Sequence, residues 1–198
     1  MTAIRSAPTV DDFPVGPDFF RREATEVARD LIGVRLTVDG VGGLIVETEA
    51  YDAADPASHS FRGPSAANAA MFGPPGHAYV YQSYGVHWCL NLVCGREPSA
   101  TVLIHALEPT DGVAAMAVRR KTTDLRKLCS GPGRLCKALG VTRAHNGLAL
   151  DRPPFELTRR PGRRPIASGL RIGITKGVDT PWRFGLAGSP FLSRSGLR

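Results

Sequence analysis

The chain has 198 residues, a formal net charge of +7 and 42% hydrophobic residues. That length buries a continuous core without covalent staples and favours a single domain, and the composition is that of a globular protein, not a disordered or fibrous one. No apolar run reaches the roughly 18 residues that a membrane-spanning helix needs, and the opening MTAIRSAPTVDDFPVG lacks the apolar centre of a secretion signal.

Residues 1–16 read as a flexible lead-in and residues 17–198 as one domain. The spacing of Phe20, Ala24, Val27, Ala28 and Leu31 predicts a helix over 17–33, opened by Pro17 and stopped by Gly33. Two strands follow, Val34–Asp39 and Gly43–Tyr51, around a turn at Gly40-Val41-Gly42. Residues 52–76 carry no period; a long irregular Pro/Gly-rich loop in a compact domain is usually functional. His77–Ser83 and Val86–Cys94 form a hairpin with Tyr84-Gly85 at its tip, and Thr101–Leu107 is a further strand. Val113–Arg120 reads as a short helix. Ser130-Gly131-Pro132-Gly133 leads into a helical run, Arg134–Leu139, closed by Gly140; a glycine-rich helix start serves as a phosphate cradle or as an ordinary cap. A basic, Pro-broken loop occupies 159–165. Leu170–Thr175 reads as the last strand, before a Gly/Pro-rich tail.

The positive charge suits a polyanionic partner and equally suits a plain basic surface. It clusters at Arg119-Arg120-Lys121, Arg126-Lys127, Arg159-Arg160 and Arg163-Arg164, so the second half is the expected electrostatic footprint. The four cysteines, Cys89, Cys94, Cys129 and Cys136, match no zinc spacing. They read as buried or free thiols, and neither metal nor cofactor is expected.

In a strand, Glu47, Glu49 and Tyr51 share one face. Two carboxylates on an apolar strand are either a solvated face or a site, because an unpaired buried carboxylate is costly. Tyr79 and Tyr81 repeat the two-residue spacing, which suits a core pair or a stacking platform for a nucleobase. Asn91, set opposite Leu90 and Leu92 by alternation, offers an amide that can read a base edge. His59 in the long loop is a further candidate contact.

The strings Ile45-Val-Glu-Thr-Glu-Ala-Tyr51, Asp55-Pro-Ala-Ser-His59, Met71-Phe-Gly73, Tyr79-Val-Tyr81, Tyr84-Gly85, Ala106-Leu-Glu-Pro109, Gly131-Pro-Gly133, Arg171-Ile-Gly-Ile174 and Gly188-Ser-Pro190 resemble, in order, the alkyladenine (3-methyladenine) DNA glycosylase family over roughly residues 17–193. The resemblance implies a single mixed α+β domain with a curved, largely antiparallel sheet, flanking helices and a protruding β-hairpin. It implies a monofunctional, cofactor-free glycosylase that flips damaged purines out of double-stranded DNA: 3-methyladenine and 7-methylguanine, with hypoxanthine and ethenoadenine as further candidates. By the same resemblance Glu49 is the general base, and Tyr51, His59 and Tyr81 stack on or contact the flipped base. Tyr84 is the intercalating wedge, Asn91 rejects the 2-amino group of guanine, and the main-chain carbonyl near Ile174 helps to hold the water. A monomer is expected, with no membrane association and, in a bacterium, a cytoplasmic, nucleoid-associated location.

Two positions depart from the family pattern. His105 stands where an arginine usually helps to position the water, which puts the pH dependence of a second catalytic position in question. Ala67-Asn68 stands where Arg-Asn is usual. A glycosidase acting on RNA or free nucleosides, and an inactive DNA-binding module, are the competing readings.

Overall fold

The computed structural model describes residues 13–96, 99–159, 162 and 164–197. Most of the expected lead-in, together with Arg160 and Arg163 of the basic loop, lies outside the described residues.

The expected first helix divides in two. Pro17–Phe20 forms a 3-10 turn, and helix α1 runs from Ala24 to Asp30. Between them Arg22 donates from Nε to the Phe19 carbonyl and lays its guanidinium 4.6 Å from the Phe19 ring centroid, while Glu23 is extended at the helix N-cap. All five apolar positions of the expected helix are buried nonetheless.

Nine strands are present among the described residues: β1 (Phe13–Pro14), β2 (Arg35–Val38), β3 (Val41–Tyr51), β4 (Ala78–Ser83), β5 (His87–Cys94), β6 (Ala100–Asp111), β7 (Phe155–Arg159), β8 (Ile166–Gly169) and β9 (Arg183–Leu186). Every pairing is antiparallel, in the order β1-β7-β2-β3-β6-β5-β4. The first part of β3 pairs with β2, and on its later half Glu47–Glu49 pair with β9, which also pairs with β8. Helices α1, α2 (Val113–Arg120), α3 (Leu125–Leu128) and α4 (Pro132–Leu139) complete a mixed α+β domain with an open sheet. No helix among the described residues is long and apolar enough to cross a membrane.

The β2–β3 turn falls at Asp39-Gly40, one residue earlier than expected, and Val41 and Gly42 belong to β3. Both turn residues have positive φ, 50° and 76°, the geometry that makes Asp-Gly a hairpin signal. Register shifts at Gly42/Gly43 and on both sides of Glu47 bend β3 against β6. A side chain at Gly43 would collide with the Glu108 carbonyl oxygen, so only glycine permits that approach.

Alternation divides the sheet into two faces. Ala50 on β3, Ala78 and Val80 on β4, Leu90 and Leu92 on β5, and Val102 and Ile104 on β6 join the main core. They meet Val27, Ala28 and Leu31 of α1, Met116 of α2 and Leu135, Cys136 and Leu139 of α4. Thr48, on the same face, donates from Oγ1 to the Ala28 carbonyl at 2.9 Å. The opposite face carries Glu47, Glu49, Tyr51, Tyr79, Tyr81, Asn91, Leu103 and His105, with a small second core of Met71, Tyr79 and Val93 under the long loop. The four cysteines are buried free thiols, as expected.

Leu170–Thr175 is not a strand. Its Leu-Arg-Ile-Gly-Ile alternation resembles one, but the Arg171 side chain is drawn inward and the Ile172 amide is taken by a side chain instead of a ladder. Strands β7, β8 and β9 and helix α3 were not expected from the sequence. Part of the basic footprint is also spent internally: Arg119 donates to the Ala138 carbonyl and Arg120 to the Leu128 carbonyl, tying α2 to α4 and α3.

Candidate active site

A cleft of about 870 Å³ opens on the face of the sheet opposite the main core, with the start of α4 at its edge. β3 supplies its floor. Glu47 and Glu49 are fully buried, and both oxygens of Glu49 accept hydrogen bonds, from the Tyr51 hydroxyl at 2.8 Å and from the Ile172 backbone N–H at 2.8 Å. Burial, then the adjacent Glu49 charge, push the Tyr51 hydroxyl far above its ordinary value, so Tyr51 remains a donor.

His105 reaches the same floor from β6. Its Nδ1 lies 3.2 Å from Glu47 Oε1, off the line of an aligned hydrogen bond, and its Nε2 lies 3.6 Å from Glu49 Oε1. Burial disfavours the imidazolium, but contact with Glu47 and the charges of Glu49 and Glu47 outweigh it and raise the pKa above the ordinary histidine value. Glu47 accepts from Arg183 Nε at 2.7 Å, the Ser193 amide at 2.6 Å and the Ser193 hydroxyl at 2.9 Å. Its burial is offset by His105, Ser193 and Arg183, which hold its pKa at about 2.

Aromatic side chains form the walls. Tyr79 and Tyr81 lie nearly parallel with ring centroids 5.5 Å apart, and His59 meets Tyr81 edge-on at 4.4 Å. His59 Nδ1 pairs with the Tyr79 hydroxyl at 2.9 Å, and burial lowers the histidine's pKa. Asn91, buried on β5, donates from Nδ2 to the Tyr79 carbonyl at 3.2 Å. Ile174 lines the cleft, whereas the direct hydrogen bond to Glu49 comes from Ile172. Tyr84 stands at the β4–β5 hairpin tip, 92% exposed, where it and Gly85 have φ of 50° and 67°. That paired left-handed turn lifts the ring away from the body of the protein.

The irregular loop is held by buried polar groups. Asn68 accepts from the Ser65 amide and hydroxyl and donates to the carbonyls of His59 and Gly63. Arg171, buried, makes a bidentate pair with Asp55, donates to the Ala50 carbonyl and sits 4.6 Å from the Tyr51 ring centroid. Every site candidate except Glu49 thus lines one cleft directly, Tyr84 at its exposed rim; Glu49 is fully buried beside Tyr51 and His105. Sequence reasoning did not single out Asp55, Arg171, Arg183 or Ser193 as supports. Their partners lie up to 146 positions away, and no local pattern marks them.

The family model described as Methylpurine-DNA glycosylase (MPG) matches residues 18–190. The chain belongs to the methylpurine-DNA glycosylase family. It is 61% identical over 181 residues to a protein of Rhodopseudomonas palustris (strain HaA2), covering 91% of this chain and 90% of that one. It is 59% identical over 182 residues to one of Bradyrhizobium diazoefficiens, covering 91% of each, and 57% over 188 residues to one of Nitrobacter winogradskyi, covering 94% and 90%. Each of the three bears the provisional name 3-methyladenine DNA glycosylase.

Proposed function

We propose that this enzyme flips an alkylated purine out of double-stranded DNA into the cleft and hydrolyses its N-glycosidic bond, with Glu49 as general base. The carrying observation is a fully buried carboxylate beside an aromatic-walled cleft, both oxygens of which accept hydrogen bonds. Glu49 takes a proton from water as the water oxygen bonds to C1′, and the electrons of the C1′–N bond leave with the purine. The carboxylate also stabilises the oxocarbenium charge that develops on the sugar. A cationic base such as 3-methyladenine or 7-methylguanine leaves as a neutral molecule, so one carboxylate suffices. An abasic site remains, and no metal or cofactor enters the step. Hypoxanthine and ethenoadenine, being neutral, need a proton at the leaving base.

The position of these residues in the cleft supports the remaining roles. Tyr51, His59 and Tyr81 would enclose the flipped base, Asn91 would exclude the 2-amino group of guanine, and the carbonyl near Ile174 would help to hold the water. Residues 17–198 are taken as the glycosylase domain, acting as a cytoplasmic monomer on the nucleoid.

Tyr84 is the proposed wedge. Tyr84→Ala is expected to slow single-turnover base release from duplex DNA on the order of 10- to 100-fold, since unstacking a base costs a few kcal/mol. Thermal stability should be unchanged because the side chain is almost wholly exposed. An enzyme built for RNA or free nucleosides would show no such loss. Release of no base by the wild-type protein, with salt-sensitive DNA binding intact, would leave only a binding module.

A second cavity of about 600 Å³ shares the His59 and Tyr81 wall and is lined by Arg62, Arg143 and Lys176, with no acidic residue among the described ones. These cations are proposed to meet phosphates flanking the flipped nucleotide. Each alanine substitution is expected to weaken binding uniformly across sequences and to flatten the slope of log K against log salt by roughly 0.9. Titrations of a labelled duplex at several salt concentrations measure it.

A further inference from the structure

After β9 the chain turns back over its own sheet. Residues 187–197 form a strap that lies on β8 and β9 where glycines leave the surface bare. A side chain at Gly185 would meet Leu192 and Leu197, and one at Gly169 would meet the Gly196 carbonyl. Glu47 ties the same strap to the floor of the cleft. It accepts from the Ser193 amide at 2.6 Å and the Ser193 hydroxyl at 2.9 Å. Arg183, its ion-pair partner, donates from Nη2 to the Arg194 carbonyl at 2.8 Å. The strap therefore takes its position from a fully buried carboxylate two residues from Glu49.

Ser193 and Arg194 both line the cleft. Among the described residues the permanent cations on its wall are Arg134, Lys176 and Arg194, and no carboxylate joins them. Arg134 is folded back on the Ser130 carbonyl and hydroxyl. Arg194 is exposed, and among the described residues its guanidinium has no hydrogen-bond, ion-pair or aromatic partner.

We propose that Glu47 holds the strap as part of the DNA-binding wall, and that Arg194, carried on it, takes a phosphate oxygen of the flipped nucleotide. This rests on the base-flipping reading above. A guanidinium fork matches two oxygens of a phosphate, and on a wall free of acids it meets no competing anion. A nucleotide still stacked in the duplex keeps its backbone outside the cleft; one that has swung out brings its phosphate to Arg194. The contact thus favours the flipped state, because a contact shifts an equilibrium only by its difference between the two states. Arg62 and Arg143 line the second cavity instead and carry no such selectivity. Of the two buried carboxylates, Glu49 serves the reaction and Glu47 the grip on the substrate.

The test is equilibrium binding of two labelled duplexes of one sequence. The first is undamaged. The second carries a single 7-methylguanine on a sugar bearing a 2′-fluorine, which withdraws electrons from the forming oxocarbenium and keeps the base attached. Wild type should prefer the second. Arg194→Ala should weaken binding of the damaged duplex by about 10- to 100-fold, the range of a hydrogen bond to a charged group, and leave the undamaged duplex nearly unchanged. Its melting temperature should match wild type, since the side chain is exposed. Arg194→Lys, which keeps the charge without the fork, should recover only part of the loss.

Glu47→Gln should give the same selective loss, and the double variant Glu47→Gln/Arg194→Ala should lose little more than either alone, because both act through one strap. Ser193→Ala removes one tether without stripping Arg183 of its carboxylate, so it keeps the fold should Glu47→Gln not; it should give a smaller loss of the same kind. Equal weakening on both duplexes by Arg194→Ala, or no weakening, overturns the contact with the flipped nucleotide. Losses that add in full in the double variant, or a Ser193→Ala protein that binds as wild type does, overturn the tether. Wild type that binds the two duplexes alike would instead remove base flipping, and this proposal with it.

Discussion

Glu49→Gln should lose single-turnover base release by about a thousandfold or more while still binding duplex DNA. A general base contributes about 10²- to 10⁴-fold, and a carboxylate facing an oxocarbenium adds electrostatic stabilisation of about 10²- to 10³-fold. The amide keeps the shape of the side chain but neither accepts a proton nor carries charge. Its carbonyl oxygen can keep the Ile172 N–H, and its NH₂ can face Tyr51, whose hydroxyl is free to reverse and accept. The fold should therefore survive, and an unchanged melting temperature beside the lost rate would locate the effect in chemistry. Release within tenfold of wild type would remove Glu49 from the mechanism and turn attention to Glu47, the other carboxylate on that face.

Asp55→Ala is expected to be the most destabilising single change near the site, by about 3–5 kcal/mol, the usual cost of stripping one partner from a buried ion pair. Arg171 is almost wholly buried, and its remaining acceptors are the carbonyls of Ala50 and Gly177. In a domain of this size the melting temperature should fall by roughly 10 °C, readable by circular dichroism. Activity should fall too, at temperatures where the variant is still folded. Arg171 packs against the Tyr51 ring, and the next residue supplies an amide hydrogen bond to Glu49, so both hydrogen bonds to that carboxylate should loosen together. A shift of only a degree or two would mean that water reaches the guanidinium once Asp55 is gone.

The strand that carries the two carboxylates was legible because its signal is local. Two-residue alternation in 47–51 places Glu47, Glu49 and Tyr51 on one face, and the faces of β4 and β5 follow from Tyr79, Tyr81 and Asn91 in the same way. The hairpin tip was legible from Tyr84-Gly85 between two strand patterns. The Leu170–Thr175 segment was misread for an equally physical reason: alternation reports which side chains could share a face, not what the backbone amides bond to, and Glu49 had claimed one. Strand β9 was missed because Arg183–Leu186 is short and carries an arginine that belongs in the interior only once Glu47 is beside it. The link between the two carboxylates through His105 needed the β3–β6 register, which irregularities on both sides of Glu47 shift away from simple counting.

The branching of the sheet at β3 carries a consequence for how the protein comes into being on the ribosome. The first 159 residues hold strands β1 to β7 and all four helices, including most of the main core. Yet Arg171, Ile172, Arg183 and Ser193, which together engage Glu47, Glu49 and Asp55, all follow β7 and are made after most of that core. Until β9 docks along the free edge of β3 and the segments on either side of it follow, Glu47 lacks its arginine and serine and Glu49 lacks one of its two donors. A nascent or prematurely ended chain would thus have a largely formed interior but an unorganised carboxylate pair. The two carboxylates are thus organised only after residues 171–193 have been made, later than most of the core that carries them.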